Sequence, residues 1–322
     1  MLYTVFHLNY NAAWVLISVL ISFFITLAAI QKGLSRLPKD QGRAYAVNGE
    51  LSKGKPRGAG LIFSICSTLV FLVFIPFRLE YALYYAFFLF SMLAGYFDDR
   101  SKSSWGEWKK GLIDLAICLG ASLTYLYFNP NPSVSAFGYV LALPAWLFLL
   151  IATFLLWVSI NFTNCTDGVD GLLGTVSIVS LATFGIVFLL SFHELDMLQM
   201  NLIFIAALLA YLMFNASPSR IIMGDAGSRT IGIFLGVMAL KTNNLLLYIP
   251  AALVIILDGG IGLFKVLVIR ITKKKNFLKS IRTPLHDHAR YKWGWSDTQV
   301  GYRFAIIQLL VSGTCIAAIL LK

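Results

Sequence analysis

Runs of about 20 apolar residues recur along the whole chain, and no other feature restricts its fold so severely. A helix that crosses a bilayer must satisfy every backbone N–H and C=O within the segment while presenting apolar side chains to lipid. Candidate spans fall at approximately 13–31, 59–77, 81–97, 111–128, 139–159, 172–191, 200–216, 229–243, 246–268 and 303–321. Of the 322 residues, 58% are hydrophobic and 13% charged, whereas a soluble domain carries roughly 25% charge. The expected fold is all-α: a polytopic integral membrane protein of about ten transmembrane helices, forming one transmembrane domain over residues 1–322. The first span lacks a basic n-region and is followed by further spans, so it reads as a retained helix rather than a signal peptide. Cys66, Cys118, Cys165 and Cys315 are scattered, which suggests neither a disulfide framework nor a thiolate metal site.

Charge sets the expected orientation. The net charge is +11, and 23 of the 26 Lys and Arg residues fall in the odd-numbered loops; Arg78, Lys241 and Lys322 are the exceptions. Positive residues collect on the cytoplasmic side of membrane proteins, so the odd loops are expected in the cytoplasm and both termini outside. This bias explains the positive charge without a nucleic-acid partner. A non-catalytic transporter or lipid-binding protein would concentrate polar residues inside its spans. Here that reading rests on Asp258 alone, beside Gly259, Gly260 and Gly262, where a helix-packing site is the better explanation.

Four of the odd loops carry residues suited to phosphate and metal chemistry. Asp98 and Asp99 end the third span, ahead of Lys102. Adjacent carboxylates suit a divalent cation or a phosphate-activating base, although a solvated helix end also explains such a pair alone. Asn161, Asn164, Asp167 and Asp170 recur every third residue, so a helical turn there stacks hard oxygen donors along one face. Capping by Thr166 or Asp167 explains one of these acids but hardly the row. The stretch Gly224-Asp225-Ala226-Gly227-Ser228 fits a metal ligand beside a phosphate-binding helix start, or equally a turn with a Ser cap. His286 and His288 lie among Arg282, Arg290 and Lys292, which suits a pyrophosphate better than zinc.

Taken in order, these loops resemble the polyprenyl-phosphate N-acetylhexosamine-1-phosphate transferase family, glycosyltransferase family 4. The resemblance covers roughly residues 50–290 and rests on four motifs plus Lys55-Pro56 with Gly58 and Gly60. The motifs are Asp-Asp-x-x-Lys from Asp98 to Lys102, Asn-x-x-Asn-x-x-Asp-Gly-x-Asp-Gly from Asn161 to Gly171, Gly-Asp-x-Gly-Ser from Gly224 to Ser228, and His-x-His from His286 to His288. A CDP-alcohol phosphotransferase would need an Ala-Arg pair after Asp-Gly, where this chain has Val169-Asp170-Gly171.

The resemblance implies transfer of a sugar 1-phosphate from a UDP-N-acetylhexosamine to undecaprenyl phosphate, with UMP released, in the bacterial inner membrane and on its cytoplasmic face. It implies Mg²⁺ (or Mn²⁺) held by Asp225, Asn164 and Asp99. Catalysis falls to Asp98, Asp99, Asp167, His286 and His288, with Asp98 deprotonating or orienting the lipid phosphate. Substrate binding falls to Lys55, Lys102, Asn161, Asp170 and Arg282, with Asp170 near uracil. A homodimer in membrane lipid is compatible with the family. Because Asp287 interrupts the family's run of histidines, the expected branch is the N-acetylglucosamine-1-phosphate transferases that start O-antigen or other surface glycans, rather than the peptidoglycan enzyme.

Overall fold

The computed structural model describes residues 12–40, 42, 52–101, 103, 105–136, 139–191, 194–274 and 276–321. Helices follow the apolar runs: α1 (Ala12–Gly33), α2 (Gly60–Phe74), α3 (Leu79–Arg100), α4 (Glu107–Phe128), α5 (Ala145–Thr166), α6 (Leu172–Ser191), α7 (Leu195–Asn215) and α8 (Gly224–Lys241). A broken segment then ends in α9 (Ile261–Thr272), a short α10 (Leu285–Trp293) crosses the last basic loop, and α11 (Asp297–Leu320) follows. Ser296 starts α11 with a reciprocal cap: its Oγ accepts the Gln299 N–H at 3.2 Å, and the Gln299 side chain accepts the Ser296 N–H at 3.1 Å.

Among the described residues six helices are long and apolar enough to cross a membrane, seven if the broken segment counts once. α2 is apolar but has only 15 residues, so the expected count of about ten is not reached on length and composition. The all-α, multi-pass membrane character holds. Residues 1–11 and Lys322 lie outside the described residues, and the expected placement of both termini lies outside them too.

Two expected spans need correction. The run 139–159 opens with a strand, because β1 (Ser133–Ala136) and β2 (Tyr139–Ala142) pair antiparallel with Ser133 opposite Ala142. Hydropathy does not separate an apolar strand from a first helical turn; Pro144, with fixed φ and no N–H, marks where the helix begins. The run 246–268 is bent by 75° between Leu245–Ala251 and Leu253–Thr272. It contains a π-helical turn, Ile256–Gly260, a form that often marks functional positions, and this one presents Asp258.

α8 is the axis of packing. Every one of its residues is buried, and α2, α3, α5 and α6 surround it. The core beside it is aromatic, with Phe71, Phe88, Phe204 and Phe234 at centroid separations of 4.4 to 6.3 Å. Close approach is decided at Gly95 of α3, where an added Cβ would stand 2.3 Å from the carbonyl carbon and oxygen of Asp225. Gly95 therefore brings the last turn of α3, with Asp98 and Asp99, against the first turn of α8.

The far end of α8 is held by charge. Buried Lys241 lies 3.1 Å from Glu80 and 3.3 Å from Glu194, and Tyr84 donates to Glu80 at 3.2 Å. Arg78 pairs with Asp196 at 3.3 Å. The two described cations outside the basic loops are thus both matched by acids, which leaves the charge asymmetry between the two ends intact.

Candidate active site

The carboxylates of α3 and α8 meet at the basic end of the bundle. Gly224 has φ +71°, and a Cβ there would stand 2.3 Å from Asp99 Oδ2, so a glycine is required for Asp99 to reach the start of α8. Asp99 Oδ2 accepts the Ala226 N–H at 3.1 Å, satisfying one of the free donors at the helix start. Its other oxygen accepts from Arg57 Nε at 2.7 Å. Arg57 arrives on the segment before α2, held by its own N–H to the Pro38 carbonyl at 2.8 Å and by pairing with Ile222. Its guanidinium also reaches Asp40 at 2.9 Å and Asp225 Oδ1 at 3.3 Å.

Two further cations complete the cluster. Lys110, on the first turn of α4, bridges Asp98 Oδ2 and Asp225 Oδ2, the latter at 3.3 Å. Arg229, one turn after Asp225, approaches it at 3.6 Å and bonds Asp114 at 2.6 Å. Asp98 also accepts the Trp105 N–H at 2.7 Å. Three crowded, poorly hydrated carboxylates would repel one another, and Arg57, Lys110 and Arg229 offset that cost. Burial alone would depress the Arg57 guanidinium; Asp99 and Asp225, with the bond to Asp40, outweigh it and hold the group above its ordinary value. Burial likewise works to raise the Asp40 carboxyl, but hydrogen bonds from Ser52, at 2.6 Å, and from Arg57 hold it below the usual range.

The structure divides the row from Asn161 to Asp170. Asn161 and Asn164 occupy the last turns of α5, the helix ends at Thr166, and Asp167 has left helical backbone. One helical face therefore carries only the first half of the row. Asn164 donates to Ser228 Oγ at 3.0 Å, one turn along α8 from Asp225, while Asn161 donates to the Trp157 carbonyl of its own helix at 2.8 Å. Asp167 sits half-buried on the turn. Asp170 accepts the N–H and hydroxyl of Ser219 at 2.9 and 2.7 Å and lies 3.7 Å from Lys55. Lys55 also donates to Ser219 Oγ at 2.9 Å.

The histidine loop is organised by Asp258. Its Oδ1 accepts the His286 backbone N–H at 2.7 Å, and its Oδ2 lies 2.8 Å from His286 Nδ1. With Nδ1 engaged, Nε2 faces Gly168, where an added Cβ would stand 2.2 Å from it. The imidazole thus lies over the turn that bears Asp167 and Asp170. His288 is turned differently: its Nδ1 accepts the Arg282 N–H at 3.1 Å, while the Arg282 guanidinium lies 5.0 Å from the Tyr291 ring centre. Asp287 pairs with Arg290 at 2.7 Å, and Arg290 also bonds Asp297 at 3.0 Å.

Most sequence-derived candidates therefore gather at one end of the bundle, with Lys102 outside the described residues. Sequence reasoning passed over Arg57, Lys110 and Arg229 as mere loop charge. The i, i+4 spacing of Asp225 with Arg229 is the signal that identifies Arg229, whereas Lys110 makes its ion pairs across the fold, with Asp98 and Asp225. Asp258 needs correction: its neighbour Gly259 does pack, with a Cβ position 2.3 Å from the Phe162 carbonyl oxygen, but the carboxylate itself serves His286. The mid-span support for a transporter goes with it. Among the described residues no three carboxylates, histidines or cysteines are so placed, as they stand, that they could hold a metal ion. The donor chemistry nonetheless fits a hard divalent cation: the donors are all oxygen, Asp99 and Asp225 already share one positive group in Arg57, and Asp98 and Asp225 share another in Lys110.

The family model Glycosyl transferase family 4 matches residues 81–243. The phospho-N-acetylmuramoyl-pentapeptide-transferase of Treponema pallidum (strain Nichols) is 37% identical over 310 residues, covering 90% of this chain and 85% of the relative. Proteins of the same name from a Wolbachia of Brugia malayi and from a Nitratiruptor species are 28% and 27% identical, over 83% and 99% of this chain and 85% and 98% of theirs. These names give no support to the expected surface-glycan branch, which rested on the split histidines. The interruption is accommodated locally: Asp287 pairs with Arg290 and lies 3.8 Å from His286 Nε2, while His286 stays on Asp258 and His288 on the loop backbone. With that identity sustained over 90% of the chain and the family model lying across its helical centre, this protein belongs to glycosyl transferase family 4, the polyprenyl-phosphate hexosamine-1-phosphate transferases that its loops resemble.

Proposed function

We propose that this protein transfers phospho-N-acetylmuramoyl-pentapeptide from its UDP-linked donor to undecaprenyl phosphate. An oxygen of the lipid phosphate attacks the phosphorus that carries the sugar. The bond from that phosphorus to the bridging oxygen breaks, and UMP leaves with that oxygen and its electron pair. The observation that carries this reading is the closure of Asp98, Asp99 and Asp225 by Arg57, Lys110 and Arg229 where α3 meets α8. Such a cluster can exchange internal ion pairs for phosphate oxygens, and the shared name of the relatives supplies the donor.

Asp99, Asp225 and Asn164 would hold Mg²⁺ or Mn²⁺, which when bound supplies charge neutralisation for a pyrophosphate. Asp98, paired with Lys110, orients the lipid phosphate or takes its proton. Lys55 and Lys110 answer phosphate charge, while Asp167 and the Asp170–Ser219 pair face nucleotide and sugar. His286, fixed by Asp258, presents Nε2 to a phosphate oxygen, and His288 with Arg282 braces that loop. In this reading the basic end faces the cytoplasm of a bacterium, where a nucleotide sugar is available.

The test uses purified protein in detergent and follows UMP release. UDP-N-acetylmuramoyl-pentapeptide and UDP-N-acetylglucosamine are compared, each with and without undecaprenyl phosphate and EDTA, beside Asp225→Ala. Release from the first donor that needs lipid, metal and Asp225 is expected. Release from UDP-N-acetylglucosamine alone would restore the surface-glycan reading, and release from neither would end the transferase reading.

A further inference from the structure

Arg57 covers the two carboxylates assigned above to a divalent cation. Its Nε donates to Asp99 Oδ1 at 2.7 Å and its Nη2 lies 3.3 Å from Asp225 Oδ1, while Nη1 holds Asp40 at 2.9 Å. Three acids from three separate segments thus converge on one planar group. The Arg57 side chain keeps 17% of its exposure, whereas those of Asp99 and Asp40 keep 0% and 3%. Solvent, and whatever arrives with it, meets the guanidinium before it meets Asp99.

The backbone beneath is fixed. Arg57 donates its N–H to the Pro38 carbonyl at 2.8 Å, and the Ile222 N–H bonds the Pro56 carbonyl at 2.8 Å. Rotation of the side chain is therefore the way by which the guanidinium leaves its acids. Lys110 does not share this position. It touches Asp98 and the other oxygen of Asp225, so its departure leaves Asp99 and Asp225 Oδ1 still covered. Arg229 reaches Asp225 only at 3.6 Å and is tied to Asp114.

A guanidinium and a divalent cation cannot both take the facing oxygens of Asp99 and Asp225, because two positive groups would then lie within a few ångström in a poorly hydrated site. We infer that Arg57 is a built-in counter-ion: in the substrate-free protein it holds Asp99 and Asp225 in place of a divalent cation, and it passes to a substrate phosphate when that cation enters. The inference rests on the proposed metal role of Asp99 and Asp225. Its chemistry is favourable at both ends, since the planar fork that serves carboxylates serves a phosphate equally well. The coupling is reciprocal: a phosphate that captures Arg57 tightens the metal, and the metal tightens the phosphate by the same factor.

The sign of the consequence is opposite to that for an ordinary site residue. Removing Arg57 strengthens metal binding in the absence of substrate. The probe is Mn²⁺ alone, with free ion counted by electron paramagnetic resonance on purified full-length protein in detergent. Wild type, Arg57→Met, the double variant Asp40→Asn with Arg57→Met, and Asp225→Ala are compared. The double variant removes one acid with one base, so buried Asp40 is not left unpaired if the single variant folds poorly. Both Arg57 variants are expected to bind Mn²⁺ at least about tenfold tighter than wild type, and to gain more in melting temperature from it. Binding by wild type that is lost in Asp225→Ala, with no tightening in either Arg57 variant, would overturn the counter-ion role and leave the metal reading standing. Absence of Mn²⁺ binding in wild type and Arg57 variants alike, at millimolar ion, would overturn both together.

Discussion

Alanine at Gly95 adds a single methyl group and is expected to cost most of the activity. Its Cβ would stand 2.3 Å from the carbonyl carbon and oxygen of Asp225 and 2.5 Å from the Ala226 nitrogen. Carbon contacts settle at about 3.5–4.0 Å, so α3 and α8 must part by about 1 Å or more. All three opposing atoms are backbone, and no flexible side chain can turn aside. α8 has nowhere to retreat, since α2, α5 and α6 close its other sides. The displacement therefore falls on α3 and moves Asp98 and Asp99 away from Asp225. Overpacking of this kind costs about 1–3 kcal/mol of stability. A catalytic group misplaced by about 1 Å costs on the order of 10²-fold in rate. The assay pairs initial rates of UMP release at saturating substrates with thermal unfolding in detergent. Gly313→Ala on α11 is the control, because nothing lies within 4 Å of that Cβ position, and it should match wild type. Gly95→Ala that unfolds earlier yet keeps its full kcat would refute the link between this helix contact and the placement of the acids.

Asp258→Asn keeps an acceptor for the His286 backbone N–H but removes the negative partner of Nδ1; kcat should fall roughly 10–100-fold, the usual scale for an orienting carboxylate, with little change in KM. Steady-state kinetics decide it, and an unchanged kcat would return Asp258 to a packing role. Lys241→Met strips the cation from buried Glu80 and from Glu194, and should destabilise the protein by about 3–5 kcal/mol. Adding Glu80→Gln should recover part of that loss in thermal unfolding, and a single variant that melts like wild type would show the network to be energetically idle.

Residues that act through their own sequence neighbourhood were legible. Asp98 with Asp99, Asp225 between glycines, and the paired histidines are each local, and their order along the chain was enough to bring out the family resemblance. What could not be read were partnerships made across the fold. Arg57 lies 42 residues from Asp99 and 168 from Asp225, and its place between Pro56 and Gly58, inside an element that the resemblance used, does not say which acids it meets. Asp258 was ambiguous because glycines follow it, and the structure uses both features, packing Gly259 on α5 while the carboxylate reaches His286. The three-residue spacing from Asn161 to Asp170 misled halfway, because spacing alone does not say where a helix stops. The strand before α5 was hidden for a related reason: an apolar run announces burial in lipid or core before it announces a backbone conformation.

The site is built from two halves with different mechanical support. Asp98, Asp99 and Asp225 stand on α3 and α8, and α8 is buried from Gly224 to Lys241, with ion pairs at both ends. Sliding or tilting α8 would break a charge cluster at one end or the other, so the three acids share one rigid frame. His286, His288 and Arg282 stand on α10 and the segment before it, reached through α9, which has no buried residue. That half is tied to the frame by the π-turn: Gly259 lies against Phe162, and Asp258 grips His286. α9, with no buried residue, has a low cost of local opening, whereas His286, Asp287 and Ala289 of α10 are buried. α9 can then give way while His286 and the acids stay in register. Under the proposed function the donor carries a bulky peptide on its sugar, and this arrangement would admit it without moving the groups assigned to the reacting phosphates.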